Sequence, residues 1–204
     1  MLDHSLKNKK VIVFDLDGTV IKLTADWSLL KDILIDKFKE YYGEDCNVTR
    51  ISSCLNEVAQ RGDETILQNF FDIIREFELK SMNQAHPIKE TVNFIINKEL
   101  FGIKKEAKFA ILSLNTRKTI ITALELANIT KKIDYIVGRE DVRRWKPAPD
   151  GLFRIQKHFD VEKKDMIFFG DLDNDIITGK NADIESYFID DLIKLVNRTL
   201  NKTI

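Results

Sequence analysis

Four stretches of this chain place polar side chains where an ordinary fold has little use for them. In VIVFDLDGTV, residues 11–20, the apolar run Val11 to Phe14 leads directly into Asp15 and Asp17. Such a run reads as a short buried strand, and carboxylates spaced i, i+2 leave its end on the same side. Two like charges beside a core strand cost free energy, so a cation, a shared proton or an electrophile is expected between them. The plain alternative is a strand ending in an Asp-Gly turn at Asp17 and Gly18. In GDLDND, residues 170–175, Asp171, Asp173 and Asp175 follow the apolar run Met166 to Phe169. RRWKPAPD, residues 143–150, carries Lys146, and a third apolar run ends in Ser113, with Asn115 and Thr116 close behind.

Carboxylates, one hydroxyl and one lysine suit phosphoryl transfer through an aspartyl intermediate. A carboxylate attacking a phosphate dianion meets repulsion of roughly 4 kcal/mol per charge pair at ~4 Å and an effective dielectric of ~20. A hard divalent cation such as Mg²⁺, held by carboxylates, offsets that repulsion, and Lys146 adds a second positive charge. Ser113 and the backbone N–H groups opening a helix at Thr116 can cradle the remaining phosphate oxygens.

The elements that must hold these groups are legible as periodicity. Strand-like runs at Val11 to Phe14, Phe109 to Leu114, Asp134 to Val137, Met166 to Phe169 and Glu185 to Ile189 alternate with helical stretches at 116–127, 149–159, 174–181 and 190–200. That alternation predicts an α/β protein with a doubly wound, parallel, five-stranded sheet. Ligands of such sheets bind outside the carboxyl ends of the strands, where the polar residues above fall.

Between the first and second strands lies a block, from about 24 to 84, with only helical periodicity. Thr24 caps a first helix with Trp27, Leu30, Leu34, Phe38 and Tyr41 inward, closing at Gly43. Thr49 opens a second through Ile51, Leu55 and Val58, and Asp63 a third with Ile66, Leu67, Phe70, Ile74 and Phe77 inward. Pro87 is then expected at the first position of a helix running to about Leu100. Trp27, Phe38, Phe70, Phe71 and Phe77 read as packing residues. The Arg61-Gly62 turn reads equally as a substrate-selecting tip or a solvated loop.

Composition narrows the function classes. Among 204 residues, 32 Lys and Arg nearly balance 33 Asp and Glu, which argues against a nucleic-acid or membrane surface. With 44% apolar residues the chain can bury a substantial core. Two cysteines, Cys46 and Cys54, with no ligand pattern near them, suit a reducing compartment. A polar start and no run of about 18 apolar residues lead us to expect a soluble, cytoplasmic protein. Oligomeric state is not legible.

DLDGT at 15–19, the strand ending in Ser113, Lys146 within KPAPD, and GDLDND at 170–175 resemble, in order, the four motifs of the haloacid dehalogenase-like (HAD) hydrolases. The phosphoglycolate-phosphatase-like branch is the nearest pattern. The resemblance implies a core of residues 1–22 and 86–204, with 23–85 as a small helical cap inserted after the first strand. It implies that the first strand lies between the second and fourth, which puts Asp15 beside Asp171. It makes Asp15 nucleophile and metal ligand, Asp17 general acid and base with its main-chain carbonyl on the metal, Asp171 a direct metal ligand through its side chain, and Asp175 a metal ligand or a holder of metal-bound water. Ser113 and Lys146 would bind the phosphoryl group of a small phosphorylated substrate, with Mg²⁺ as cofactor.

Two positions depart from the family pattern. Leu114 intervenes between Ser113 and Asn115, and Ile21-Lys22 stand near where an acidic residue is common. Competing motifs fail on spacing. An EF-hand loop starting at Asp171 would need Gly where Ile176 stands and Glu where Ala182 stands, and a P-loop ending at Gly179-Lys180 would need Gly in place of Asn174. The alternatives kept in view are a sugar-phosphate mutase on the same scaffold and a non-enzymatic phospho-aspartate switch.

Overall fold

The computed structural model describes residues 2–46 and 50–202, so Thr49, expected to open the second helix, lies outside the described residues. The chain divides into two compact units, Met1–Leu23 with Ala85–Ile204, and Thr24–Gln84.

In the larger unit, α1 (Leu2–Leu6) precedes β1 (Val11–Phe14), and a short β2 (Ile21–Lys22) follows. After residue 84 come β3 (His86–Pro87), α5 (Lys89–Ile96), β4 (Lys108–Leu112), α6 (Arg117–Leu126), β5 (Tyr135–Val137), α7 (Asp150–Phe159), β6 (Met166–Gly170), α8 (Asp173–Ala182), β7 (Glu185–Phe188) and α9 (Ile189–Leu200). Among the described residues five strands form one parallel sheet, ordered β5-β4-β1-β6-β7. The doubly wound α/β expectation is met, with strand ends within one or two residues of those read from the sequence.

All four residues of β1 are buried because the strand has a neighbour on each edge and helices over each face. Val11 and Val13 join Ala110, Leu112, Phe168, Leu152 and Ile155 on the face covered by α7. On the opposite face, Phe14 meets Phe94 of α5, Phe109 and Phe169 at ring-centroid distances of 6.2, 5.7 and 5.8 Å. This aromatic cluster fixes the last residue before Asp15.

One expectation fails here. Pro87 does not open a helix; it pairs with Ile21 while His86 pairs with Lys22 in a two-stranded antiparallel ribbon, and Ile88 N–H donates to Val20 O at 2.9 Å. Proline tolerates this place because a two-stranded ribbon leaves edge positions that need no donor. The helix starts at Lys89, ends at Ile96, and gives way to a 3₁₀ turn at Lys98–Phe101 before Gly102 takes a left-handed conformation, φ 74°.

The smaller unit holds α2 (Trp27–Tyr42), α3 (Ile51–Gln60) and α4 (Glu64–Ser81). Asp26, not Thr24, caps α2, accepting the Leu29 N–H at 3.0 Å, and Gly43 closes it with φ 71°. Leu30, Leu34, Phe38, Leu55, Val58, Leu67, Phe70, Phe71 and Ile74 are buried, whereas Trp27 and Phe77 are half-buried. Tyr41 is exposed, and its neighbour Tyr42 turns inward to donate its hydroxyl to Asp63 at 2.8 Å. That bond occupies Asp63, which makes no side-chain cap on α4. The Arg61 guanidinium pairs with Glu44 and lies 4.3 Å from the centroid of Tyr42, so these contacts tie the α3–α4 turn to α2. No helix of the described residues is long and apolar enough to cross a membrane.

Phe14→Ala removes the centre of the aromatic cluster, and we expect a loss of about 3–5 kcal/mol of unfolding free energy. Urea denaturation followed by circular dichroism checks it; a loss below about 1 kcal/mol would contradict the packing described.

Candidate active site

The carboxyl ends of β1 and β6 lie side by side, Phe14 paired with Phe169, and the chain continues from each into an aspartate. Asp15 N–H still bonds to Phe169 O at 2.8 Å, which fixes the Asp15 backbone against β6. Asp171 follows β6, and Asp175 comes from the first turn of α8, where its Oδ2 accepts the Leu172 N–H at 3.1 Å. An acidic residue there is favoured by the helix dipole.

Two glycines permit this convergence. Gly18 sits at φ 78° in the turn after β1, and a Cβ on it would lie 2.2 Å from Asp171 Oδ2. A Cβ on Gly170 would meet the Asp175 side chain at 2.3 Å. Any other residue at either place would push a carboxylate aside.

Lys146 reaches the cluster from the loop between β5 and α7. Its Nζ donates to Asp15 Oδ1 at 2.8 Å and to Asp175 Oδ1 at 2.5 Å, and its residue is 5% exposed. The loop backbone is held by side chains: Trp145 Nε1 donates to Arg139 O at 2.8 Å, Asn174 Nδ2 to Lys146 O at 3.1 Å and Asn181 Nδ2 to Pro147 O at 2.9 Å.

The charges do not balance. Asp15, Asp175 and Lys146 together leave one excess negative charge, and Asp171 adds another. Burial pushes the Asp15 carboxyl up to about 7 against the attraction of Lys146, with Asp175 adding to the rise. Asp171 is pushed up to about 6, by burial first and by the nearby Asp175 carboxylate second. Burial opposes the Lys146 ammonium, but Asp15 and Asp175 outweigh it and hold its pKa above the usual lysine value.

One oxygen from each of Asp15, Asp171 and Asp175 lies within 4.8 Å of the others, and Asp171 Oδ1 is buried without a hydrogen-bond partner. Carboxylate oxygens in excess of local positive charge, one of them unsatisfied, fit a hard divalent cation.

The remaining residues singled out from the sequence stand around this cluster in different ways. Asp17 is outside the three-carboxylate group: its Oδ1 accepts the Leu23 N–H at 2.8 Å, although its charge still contributes to the rise at Asp171. Ser113 is buried beyond β4, donating to Asn115 Oδ1 at 2.8 Å and accepting from Asn115 N at 3.1 Å. The intervening Leu114 thus lets Asn115 fold back onto the serine. At the start of α6, Arg117 N–H donates to Glu140 Oε2 at 2.9 Å, so that donor, expected to be open for phosphate, is engaged by the protein. Asp173 is exposed. Trp145, Asn174 and Asn181 also support the site; the first two stand inside RRWKPAPD and GDLDND, whereas Asn181 carries no sequence signal.

Comparison with known proteins agrees with this geometry. The family model described as haloacid dehalogenase-like hydrolase matches residues 12–189. The chain belongs to the haloacid dehalogenase-like hydrolases. It is 26% identical over 181 residues to the pyrophosphatase PpaX of Halalkalibacterium halodurans, covering 86% of this chain and 80% of that protein. It is also 26% identical over 182 residues to a phosphoglycolate phosphatase of Aquifex aeolicus, covering 85% and 81% respectively. A solved structure of a putative haloacid dehalogenase-like hydrolase from Bacteroides fragilis superposes with a TM-score of 0.60 at 22% identity, over 87% of this chain and 86% of that one. In a hydrolase of this family, Asp15 to Thr19 and Gly170 to Asp175 face each other because β1 and β6 are neighbours.

The raised carboxyls set a pH dependence. Relative to the usual 3.8, Asp15 at about 7 and Asp171 at about 6 make the folded state hold more protons between those values. Stability from these groups is therefore fully present below pH ~4 and lost as pH rises through ~6 to ~7. In excess chelator, the urea midpoint should fall between pH 5 and pH 8 relative to an Asp171→Asn variant, whose profile is flatter. A wild-type midpoint that rises more steeply than the variant's contradicts the assignment.

Proposed function

We propose that the protein is a Mg²⁺-dependent phosphomonoester hydrolase that acts on a small phosphorylated metabolite through an aspartyl-phosphate intermediate. The observation that carries this reading is the buried Lys146 shared by Asp15 and Asp175, with the unsatisfied Asp171 oxygen beside them. The names of the relatives, a pyrophosphatase and a phosphoglycolate phosphatase, support phosphate ester or anhydride substrates.

Asp15 is the nucleophile. Lys146 holds one of its carboxylate oxygens, which fixes the side chain and leaves the other to form the bond to phosphorus as the bond to the leaving oxygen breaks. Asp17 donates a proton to that leaving oxygen and then takes one from the water that attacks the acyl phosphate, releasing phosphate and restoring Asp15. Asp15, Asp171, Asp175 and the Asp17 main-chain carbonyl would hold Mg²⁺, which supplies positive charge against carboxylate–phosphate repulsion. Lys146 and Ser113 bind the phosphoryl oxygens. The helical unit, Thr24–Gln84, would serve as a cap that selects substrate and excludes water, and a unit this small suits a small soluble phosphate; its division from the rest of the chain is in keeping with that role. Two free, buried cysteines are in keeping with a cytoplasmic setting.

Phosphate release from a generic aryl phosphate tests the reading. Turnover should vanish in excess chelator and return with Mg²⁺, Asp15→Asn should show none, and Asp17→Asn should lose about 10²–10⁴-fold in kcat. Turnover that survives in Asp15→Asn or in chelator would overturn it. Return of the phosphoryl group to substrate, rather than to water, would make the protein a mutase. A comparison of pyrophosphate with phosphoglycolate then separates the two substrate classes its relatives name.

A further inference from the structure

Lys146 stands on a segment that cannot hold itself in place. It lies between β5 and α7 with no strand partner, and Pro147 and Pro149 have no N–H to donate. Within the segment, Ala148 N–H bonds to Trp145 O at 2.9 Å. A lysine has four rotatable side-chain bonds, so directing its ammonium to two buried carboxylates requires a fixed starting point for the stem. That point is the main chain of Lys146 and Pro147, and α8 grips it at both carbonyls: Asn174 Nδ2 on Lys146 O at 3.1 Å, and Asn181 Nδ2 on Pro147 O at 2.9 Å.

The two asparagines are seven residues apart, close to two helical turns, and so share a face of α8. Asp175, which receives the Lys146 ammonium, follows Asn174 directly. One rigid helix therefore fixes both ends of the lysine, its backbone through two amides and its head through a carboxylate. Asn181 sits in the last turn of α8 and is exposed.

We propose that Asn181 is a positioning residue for catalysis, acting through the Pro147 carbonyl to keep the Lys146 ammonium between Asp15 and Asp175. Its catalytic consequence rests on the phosphatase reading above. Asn181 touches no substrate in this scheme; it sets where the positive charge stands when the phosphoryl group is transferred.

Asn181→Asp is the informative variant, because it keeps the shape but replaces the donor with a carboxylate that can only repel the Pro147 carbonyl. Asn181→Gln keeps the amide. With Mg²⁺ and an aryl phosphate, Asn181→Asp should lower kcat about tenfold, more than it raises KM, and Asn181→Gln should recover part of the loss. In a Lys146→Ala background the same change should cost nothing further, since its route to the chemistry is gone. Independently of turnover, acetylation of Lys146 by acetic anhydride, read by mass spectrometry, should quicken in Asn181→Asp. Lys9, also buried and paired with Glu185 at 2.6 Å, should keep its wild-type rate. An unchanged kcat, an equal loss in the Lys146→Ala background, or Lys9 and Lys146 quickening together would each overturn the proposal. Should the wild-type protein hydrolyse no phosphate ester, the functional reading falls, and the Lys146 labelling alone decides whether Asn181 positions it.

Discussion

One ammonium group buried between two carboxylates holds the strand ends together. Lys146 lies 131 residues from Asp15 and 29 from Asp175, so the contact joins the first strand, a loop past the fifth and the eighth helix at one point. Such a group is costly to bury, and its attraction to two partners is what offsets the desolvation. If either carboxylate were lost, the lysine would keep one bond; if the lysine were lost, two carboxylates would face each other with nothing between them. The fold tolerates the cluster because the surroundings are rigid: an aromatic layer under Phe14, and glycines at 18 and 170 where any side chain would strike a carboxylate.

Topology makes the meeting unavoidable. β1 is the central strand, so whatever follows it stands beside whatever follows β4 and β6. Because all five strands are parallel, their carboxyl ends lie along one edge of the sheet, and the polar residues therefore collect there without any contact along the chain. The long insertion does not disturb this, because its two connections leave and return through the paired β2 and β3, within a few residues of Asp17. A closed ribbon at the root of an insertion lets the inserted residues vary while the first strand and its aspartates keep their register.

The strand and helix alternation after residue 108 was legible because apolar runs of four or five residues, separated by amphipathic stretches, fit few arrangements besides a parallel sheet covered by helices. The acidic groups were legible on a separate ground, that the chain places charges where burial is costly. What could not be read has physical causes as well. The β2–β3 ribbon is two residues long on each side, too short for any periodicity, and Pro87 carried a helix-start signal that pairing overrode. Tyr41 and Tyr42 are equivalent by spacing within a residue, and the hydroxyl of Tyr42 finding Asp63 decided between them. The bonds from Asn174 and Asn181 go to main-chain carbonyls, which every residue has, so no pattern of side-chain types announces them. The serine-asparagine pairing across Leu114 likewise depends on how the chain bends after β4.

The same surplus of negative charge links stability to chemistry. Asp15 and Asp171 are held above their ordinary pKa because the protein has taken them from water without giving them enough positive charge. That deficit destabilises the metal-free fold at neutral pH, and it is also what a divalent cation would relieve. Binding to the folded state alone converts the relief into stability through mass action. A second lysine in place of the cation would satisfy the carboxylates permanently and leave Asp15 neutralised on both oxygens. In the hydrolase proposed above, a removable divalent cation rather than a fixed side chain would meet the surplus, and the Asp15 oxygen that Lys146 does not hold would be the one to attack phosphorus.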